Sequence, residues 1–250
     1  VIRESYIGND VMDLTDPRCR DRAPGDRLVG RILVAGEQRA IEQASDRTPW
    51  PLSLWAHWAA KEAAYKAKSK AVPGLGPFVP RALVADLDVS PLDSTGMAHI
   101  TGTVRGAGDA PPVTITGASD GRYLHVIGWT GAADRPLAGR LETGLDELSE
   151  GSVDVNRFRD RFTDSEWEGV RSGPAAVVRL LARERARSIV ESRAASRPNG
   201  EETAVQIVTS RVARGSTAPK LRIGDRELPG WDVSLSHHGR YVAWALLVPE

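Results

Sequence analysis

The sequence predicts an α+β protein of two similar halves, each a group of helices followed by a small antiparallel sheet, packed together about a pseudo-two-fold axis. Three observations lead there. An alanine- and lysine-rich helical stretch (55–70) is followed by short β-rich runs separated by turn signals (82–129). The same order, a long helix and then strands, recurs at 173–247. Pieces of the two tracts also match residue for residue, the mark of an internal duplication. A chain of 250 residues holds two domains of roughly 100–150 residues each, and the expected halves are 1–133 and 134–250.

Taken in order, "IGND" opens an apolar run that places Asp10 at the end of a short strand. "SDRTPWPLS" supplies polar and proline residues at a helix start, and "AVPG" (71–74) stops that helix. Between them stand alanine, leucine, glutamate and lysine, all good helix formers. "ALVADLDV" (82–89), "MAHITGTV" (97–104), "VTITGA" (113–118) and "RYLHVIGW" (122–129) read as strands, the last two joined across Ser119-Asp120-Gly121 as a hairpin. The first part of "GAADRPLAGRLETGLDELSEGSVDV" lacks periodicity and reads as a linker. A helix at 173–196 and strands at 203–210, 219–224, 231–236 and 240–247 complete the second half.

The repeat is legible in residues. "TGASDGRYLHVIGW" (116–129) lies over "SLSHHGRYVAWALL" (234–247), "WAAKEAAYK" (58–66) over "LLARERARS" (180–188), and "RILVAGE" (31–37) over "RFTDSEW" (161–167). The differences are complementary. The first half has "GND" (8–10) and Lys66, and Ala118-Ser119 where the second has Ser236-His237; the second has Ser188 in place of Lys66. Halves that have each lost what the other keeps point to one composite site.

Composition narrows the chemistry. Acidic and basic residues balance at 33 each, which gives no basic excess for nucleic acid. One cysteine, Cys19, excludes an intramolecular disulfide and a multi-cysteine metal cluster. No apolar run approaches the roughly 18 residues of a membrane span, and the opening residues lack a signal-peptide core, so a cytoplasmic protein without membrane partners is expected. No Walker loop occurs.

Asp10 and Glu62 are hard oxygen donors of the kind magnesium takes alongside water and phosphate. Asp10 equally fits a turn or N-cap aspartate, and Glu62 an ordinary i,i+4 pair with Lys66. Lys61 and Lys66 diverge by about 140° around a helix, so Lys66 shares the face of Glu62 while Lys61 lies beside it. Trp55 and Trp58 read as core anchors of that helix. Ser236-His237 ends a strand ahead of a hairpin, where a hydroxyl and an imidazole serve either as turn chemistry or as partners for a phosphate. His57, His99 and His125 have no zinc spacing.

"GND" (8–10), "WAAKEAAYK" (58–66) and "SLSHHGRYVAWAL" (234–246), in this order, resemble the motifs of the 4′-phosphopantetheinyl transferase superfamily: Gly-x-Asp, Trp-x-x-Lys-Glu-Ala-x-x-Lys and a Ser-His strand ending. The order is similar to that of the small holo-acyl-carrier-protein synthases, and the length to two such units fused in one chain. The resemblance implies that Asp10 and Glu62 bind Mg²⁺, with Mn²⁺ as the alternative. It implies that Lys61 and Lys66 contact the phosphates of coenzyme A, and that Ser236 and His237 hold its adenosine end. It further implies transfer of 4′-phosphopantetheine to a serine of an acyl or peptidyl carrier protein, in fatty-acid, polyketide or peptide biosynthesis, with Asp10, Glu62 and Lys66 as the catalytic set. A degenerate pseudodimer that binds coenzyme A or a carrier without transfer is the alternative. A fused pair already has an internal interface, so a monomer is expected. Met12 stands where related enzymes carry a second acidic residue, which leaves two carboxylates for the metal. Lys220 or Arg214 is a further partner for the 3′-phosphate, and the arginines of "DPRCRDRAPGDR" (16–27) suit an acidic carrier helix.

Overall fold

The computed structural model describes residues 5–72, 74–106, 111–130, 137, 139–149, 154–194, 204–209, 211–212, 215–216 and 218–250. The chain divides into two compact units, Val1–Ala138 and Gly139–Glu250. The boundary expected between 133 and 134 falls within 131–136, outside the described residues.

The first unit runs β1 (Ile7–Asp13), α1 (Pro17–Arg20), α2 (Val29–Ile32), α3 (Ala35–Ala44), α4 (Trp50–Ala71), β2 (Leu83–Val89), β3 (Ala98–Gly106), β4 (Val113–Ser119) and β5 (Tyr123–Thr130). Its sheet is antiparallel in the order β1-β5-β4-β3-β2. The four strands read from the sequence form the meander, and β1 adds along β5. Asp10 does not end β1, as expected from sequence; it sits at its middle, opposite Val126. The strand continues because "VMD" pairs onward with Tyr123–His125 of β5.

The 22 residues of α4 lie mainly across β1 and β5. Ala56, Ala59, Ala60, Ala63, Ala64 and Ala67 are all fully buried. So narrow a stripe lets helix and sheet approach closely, and the sheet has a matching seat. Gly8 and Gly128 are paired directly across β1 and β5, and a Cβ on Gly8 would collide with the Ala63 carbonyl oxygen. The glycine of "GND" therefore sets the distance between the strand that carries Asp10 and the helix that carries Glu62 and Lys66.

The second unit runs β6 (Arg140–Glu147), a 3₁₀ segment (Val155–Arg161), α5 (Asp164–Trp167), α6 (Gly173–Ala194), β7 (Val205–Val208), β8 (Arg211–Val212), β9 (Gly215–Ser216), β10 (Lys220–Ile223), β11 (Arg226–Glu227), β12 (Asp232–His238) and β13 (Tyr241–Val248). Its strands group as β6-β13-β12, β11-β10-β7 and the pair β8-β9. The aperiodic stretch whose first part read as a linker contains β6, which is paired along the whole length of β13. "RLETGLDE" is polar and half-exposed, so it lacks the alternation that marks a strand; its partner makes it one.

Within each unit the same device ties the long helix to its neighbours. Glu37 stands at the third position of α3 and accepts from the Val34 amide (2.8 Å) and, across to β2, from the Ala85 amide (2.7 Å). Lys61 closes the cluster on Glu37 (2.7 Å) and on the Ile32 carbonyl (2.8 Å). In the second unit Glu166 holds the third position of α5, accepts from the Thr163 and Ile207 amides, and pairs with Arg183, which also reaches the Arg161 carbonyl. Arg183 is the residue that the repeat places over Lys61. Glu37 corresponds by role to Glu166, one residue off the gapless match of 31–37 with 161–167. Among the described residues no helix is long and apolar enough to cross a membrane.

Candidate active site

The Lys66 ammonium is the centre of the cluster. It donates to the Asn9 carbonyl at 2.8 Å and to Asp10 Oδ1 at 3.1 Å, and it lies 3.3 Å from Glu62 Oε1. Asp10 is nearly enclosed (6% side-chain exposure), whereas Lys66 and Glu62 are 25% and 28% exposed. One wall is therefore inside the protein and the other is open to a ligand. Burial works against the Lys66 charge, but Asp10 and then Glu62 outweigh it and raise its pKa above the ordinary lysine value. At neutral pH Lys66 is a charged donor.

Two carboxylates that converge on one cation form the donor set that Mg²⁺ takes when water and substrate phosphate complete its shell. Among the described residues no group of three or more His, Cys, Asp or Glu side chains is placed to hold a metal; Asp10 and Glu62 are two oxygen donors on either side of one cation. Asp13 belongs to the other face of β1 by strand alternation and is held by its turn, accepting from the Thr15 amide (3.0 Å) and hydroxyl (2.6 Å).

Lys61 corrects the sequence reading. Its side chain has 0% exposure and its ammonium is spent on Glu37 and Ile32, so it cannot touch a phosphate without breaking a buried ion pair. The remaining lysines of α4 serve the fold too: Lys68 reaches the Gly106 carbonyl and Lys70 the Ile7 carbonyl. Trp58 packs edge-on against Phe78 and Trp55, as anchors do. Cys19 is no nucleophile: burial, then Asp16 and Asp13, push its thiol up to about 12.

Ser236 and His237 stand near the end of β12, opposite Ala243 and Val242 of β13. Ser236 is buried and His237 exposed. At the matching hairpin of the first unit, Ser119 is committed to the turn: its hydroxyl donates to the Tyr123 carbonyl and accepts from the Gly121 amide. Lys220 is held by Glu227 at 2.7 Å, and Arg214 lies outside the described residues. The second unit's counterpart of the acidic cluster is dismantled. The β13 residue matching Val126 is Trp244, and its partner, where the first unit has Asp10, is Gly144. A Cβ there would strike the Trp244 ring. Glu184, the match of Glu62, pairs instead with Arg161 at 2.9 Å. Sequence comparison missed Gly144 because the stretch that holds β6 has no strand periodicity.

Replacing Gly8 with alanine is expected to push α4 off β1. The cost is about 1–3 kcal/mol of stability for overpacking, together with displacement of Glu62 and Lys66 from Asp10; a urea melt of the variant checks the first.

His125 adds a pH effect. Asn9 Nδ2 and His125 Nε2 lie 3.3 Å apart, and burial, then the Lys66 charge, pull the imidazole down to about 4. The unfolded chain, near 6.5, binds that proton first, so stability is full above about pH 6.5 and falls as pH drops toward 4. About 1–2 kcal/mol should be gone at pH 5, and a His125→Gln variant should lose that pH dependence in denaturant titrations at pH 7 and pH 5.

An α+β unit that holds two carboxylates and an ammonium at one half-open point has the groups of a phosphate-handling transferase. Residues 6–91 match the model of the 4′-phosphopantetheinyl transferase superfamily, and Asp10, Lys61, Glu62 and Lys66 all fall inside the match. Ser236 and His237 lie beyond it. Comparison with curated proteins finds no match.

Proposed function

We propose that the protein transfers 4′-phosphopantetheine from coenzyme A to a serine of an apo acyl or peptidyl carrier protein. The observation that carries this reading is Lys66 held between Asp10 and Glu62 inside the residues that match the family model. Asp10 and Glu62 would hold Mg²⁺, which supplies charge neutralisation on the pyrophosphate. The carrier serine oxygen attacks the β-phosphorus in line. The bond from that phosphorus to the bridging oxygen breaks, and its electrons leave on the 5′-phosphate of adenosine 3′,5′-bisphosphate. Glu62 takes the serine proton, directly or through a water. Lys66, already charged, donates a hydrogen bond to the departing phosphate oxygen.

The decisive experiment incubates the protein with coenzyme A, Mg²⁺ and several apo carrier proteins and weighs each carrier by mass spectrometry. A phosphopantetheine adduct on one of them is expected; its absence from all would sink the reading.

Carrier docking belongs to the arginines that follow β1. Arg18 and Arg20 are exposed on α1, and only Arg20 is paired with a neighbouring carboxylate, Asp21. Such pairs are worth little in water, so both guanidinium groups are at hand for an acidic helix. Reversing Arg18 and Arg20 to glutamate should raise KM for the carrier about tenfold or more and leave coenzyme A affinity unchanged; an unaltered carrier KM would remove this surface from the scheme.

A further inference from the structure

The repeat exposes a second site in the first unit. The register that places Arg183 over Lys61 places Arg179 over His57. In the second unit Arg179 closes the outer edge of β7. Its guanidinium donates to the Ile207 carbonyl (3.3 Å), the Gly169 carbonyl (3.2 Å) and the Thr209 hydroxyl (2.8 Å). All three acceptors are neutral, and burial pulls the guanidinium only to about 10, so it stays charged there at neutral pH. Three neutral oxygens, with the charge of the Glu166 carboxylate nearby, hold this head group inside the fold.

The first unit keeps the frame and leaves the space open. Ala85 of β2 corresponds to Ile207, since the amide of each is taken by the clamp glutamate. Two residues on either side of Leu87, the Ala85 amide and the Val89 carbonyl both point off the sheet, to Glu37 and to the Thr48 hydroxyl. Leu87 has the same phase, so its own N–H and C=O face outward as well. They face a cavity of about 380 Å³ between α3, the start of α4 and the outer edge of β2, lined by His57, Ser53, Thr48, Arg47, Leu87 and Asp88 among others. That is ample for a small molecule.

His57 forms its inner wall. The residue is only 4% exposed. Nδ1 donates to the Ser53 carbonyl at 2.8 Å, which fixes the tautomer and leaves Nε2 as an acceptor. Burial depresses its pKa, so the acceptor survives at neutral pH. Lys61 is matched by Glu37, and Arg47 and Asp88 are both among the residues lining the cavity.

We propose that this cavity is a binding site for a small molecule with a guanidinium-type head group, held by His57 Nε2 and the Leu87 carbonyl, which lies one outward-facing residue beyond Ala85, the match of the Ile207 whose carbonyl Arg179 takes. The site is independent of phosphopantetheinyl transfer. It would brace the free edge of β2 in the way that Arg179 braces β7.

The test titrates the isotope-labelled full chain with butylguanidinium, butylammonium and butylurea and follows the Leu87 amide and the His57 ring by NMR. Butylguanidinium should give saturable shifts at both, with butylammonium at least about tenfold weaker. His57→Arg, which fills the cavity from within, and His57→Leu, which removes the acceptor, should each abolish the shifts at Leu87. Three results would overturn the proposal: no saturable shift up to about 10 mM butylguanidinium, equal affinity for butylammonium, or binding that survives His57→Leu. The head-group series and the leucine variant decide the matter even where the arginine variant does not fold.

Discussion

Glutamine in place of Glu62 is expected to lower transfer about 1,000-fold or more while the protein stays folded. The carboxylate is removed from the open side of the cluster, so in the proposed mechanism the Mg²⁺ site would lose one of its two protein oxygens and the serine proton its acceptor. The fold loses little, because a half-exposed i,i+4 pair with Lys66 contributes only about 0.3–0.5 kcal/mol. Turnover with the carrier that the wild type modifies, beside a denaturant melt, gives both numbers. More than a tenth of wild-type turnover would take Glu62 out of the mechanism, and a large drop in the melting midpoint would mean that it holds the fold instead.

Lys61, its immediate neighbour, should behave in the opposite way. Lys61→Met leaves the Glu37 carboxylate buried with only the Val34 and Ala85 amides to satisfy it, and breaking a buried pair from one side costs about 3–5 kcal/mol. Lys61→Arg should keep most of the stability, since the second unit builds the same clamp with Arg183 and Glu166. The cost of Lys61→Met should also shrink once Glu37→Gln is already present, with a coupling of about 0.5–3 kcal/mol. Denaturant midpoints of the four proteins in that cycle measure it. A lysine that contacted substrate phosphate would show another pattern: an unchanged midpoint, a raised KM for coenzyme A and no coupling to Glu37.

The contrast between two adjacent residues shows where sequence reading stops. Helical geometry places Lys66 on the face of Glu62 and Lys61 to one side of it, and both statements hold in the structure. Which side is interior depends on α3 and β2, which arrive from elsewhere in the chain. A lysine inside the protein looks like a lysine at its surface until its partner, Glu37, is in view. The glycine of "GND" is similar. Its value lies in the close approach of Ala63, a contact between residues 55 positions apart that no local pattern announces.

β6 is the reverse case. Its residues carry no strand signal because half of them face water, and only pairing with β13 reveals them. With that strand in place the repeat becomes fuller, and it shows what each copy keeps. One has Asp10 and Lys66; the other has Gly144 under Trp244, and Ser188. One has His57 and an open cavity; the other fills the corresponding edge with Arg179.

By itself the sequence determined the long helix, the hairpin meander, the internal repeat and the identity of the residues that match the superfamily. These depend on propensity, periodicity and turn chemistry, which act over a few residues and can be read in a line. Only the tertiary structure decided that Asp10 lies in the middle of a strand, that Lys66 bridges it to Glu62, and that Lys61 is sealed inside. Those outcomes depend on which groups lose water together, and burial of a charge is settled by neighbours brought in from distant parts of the chain.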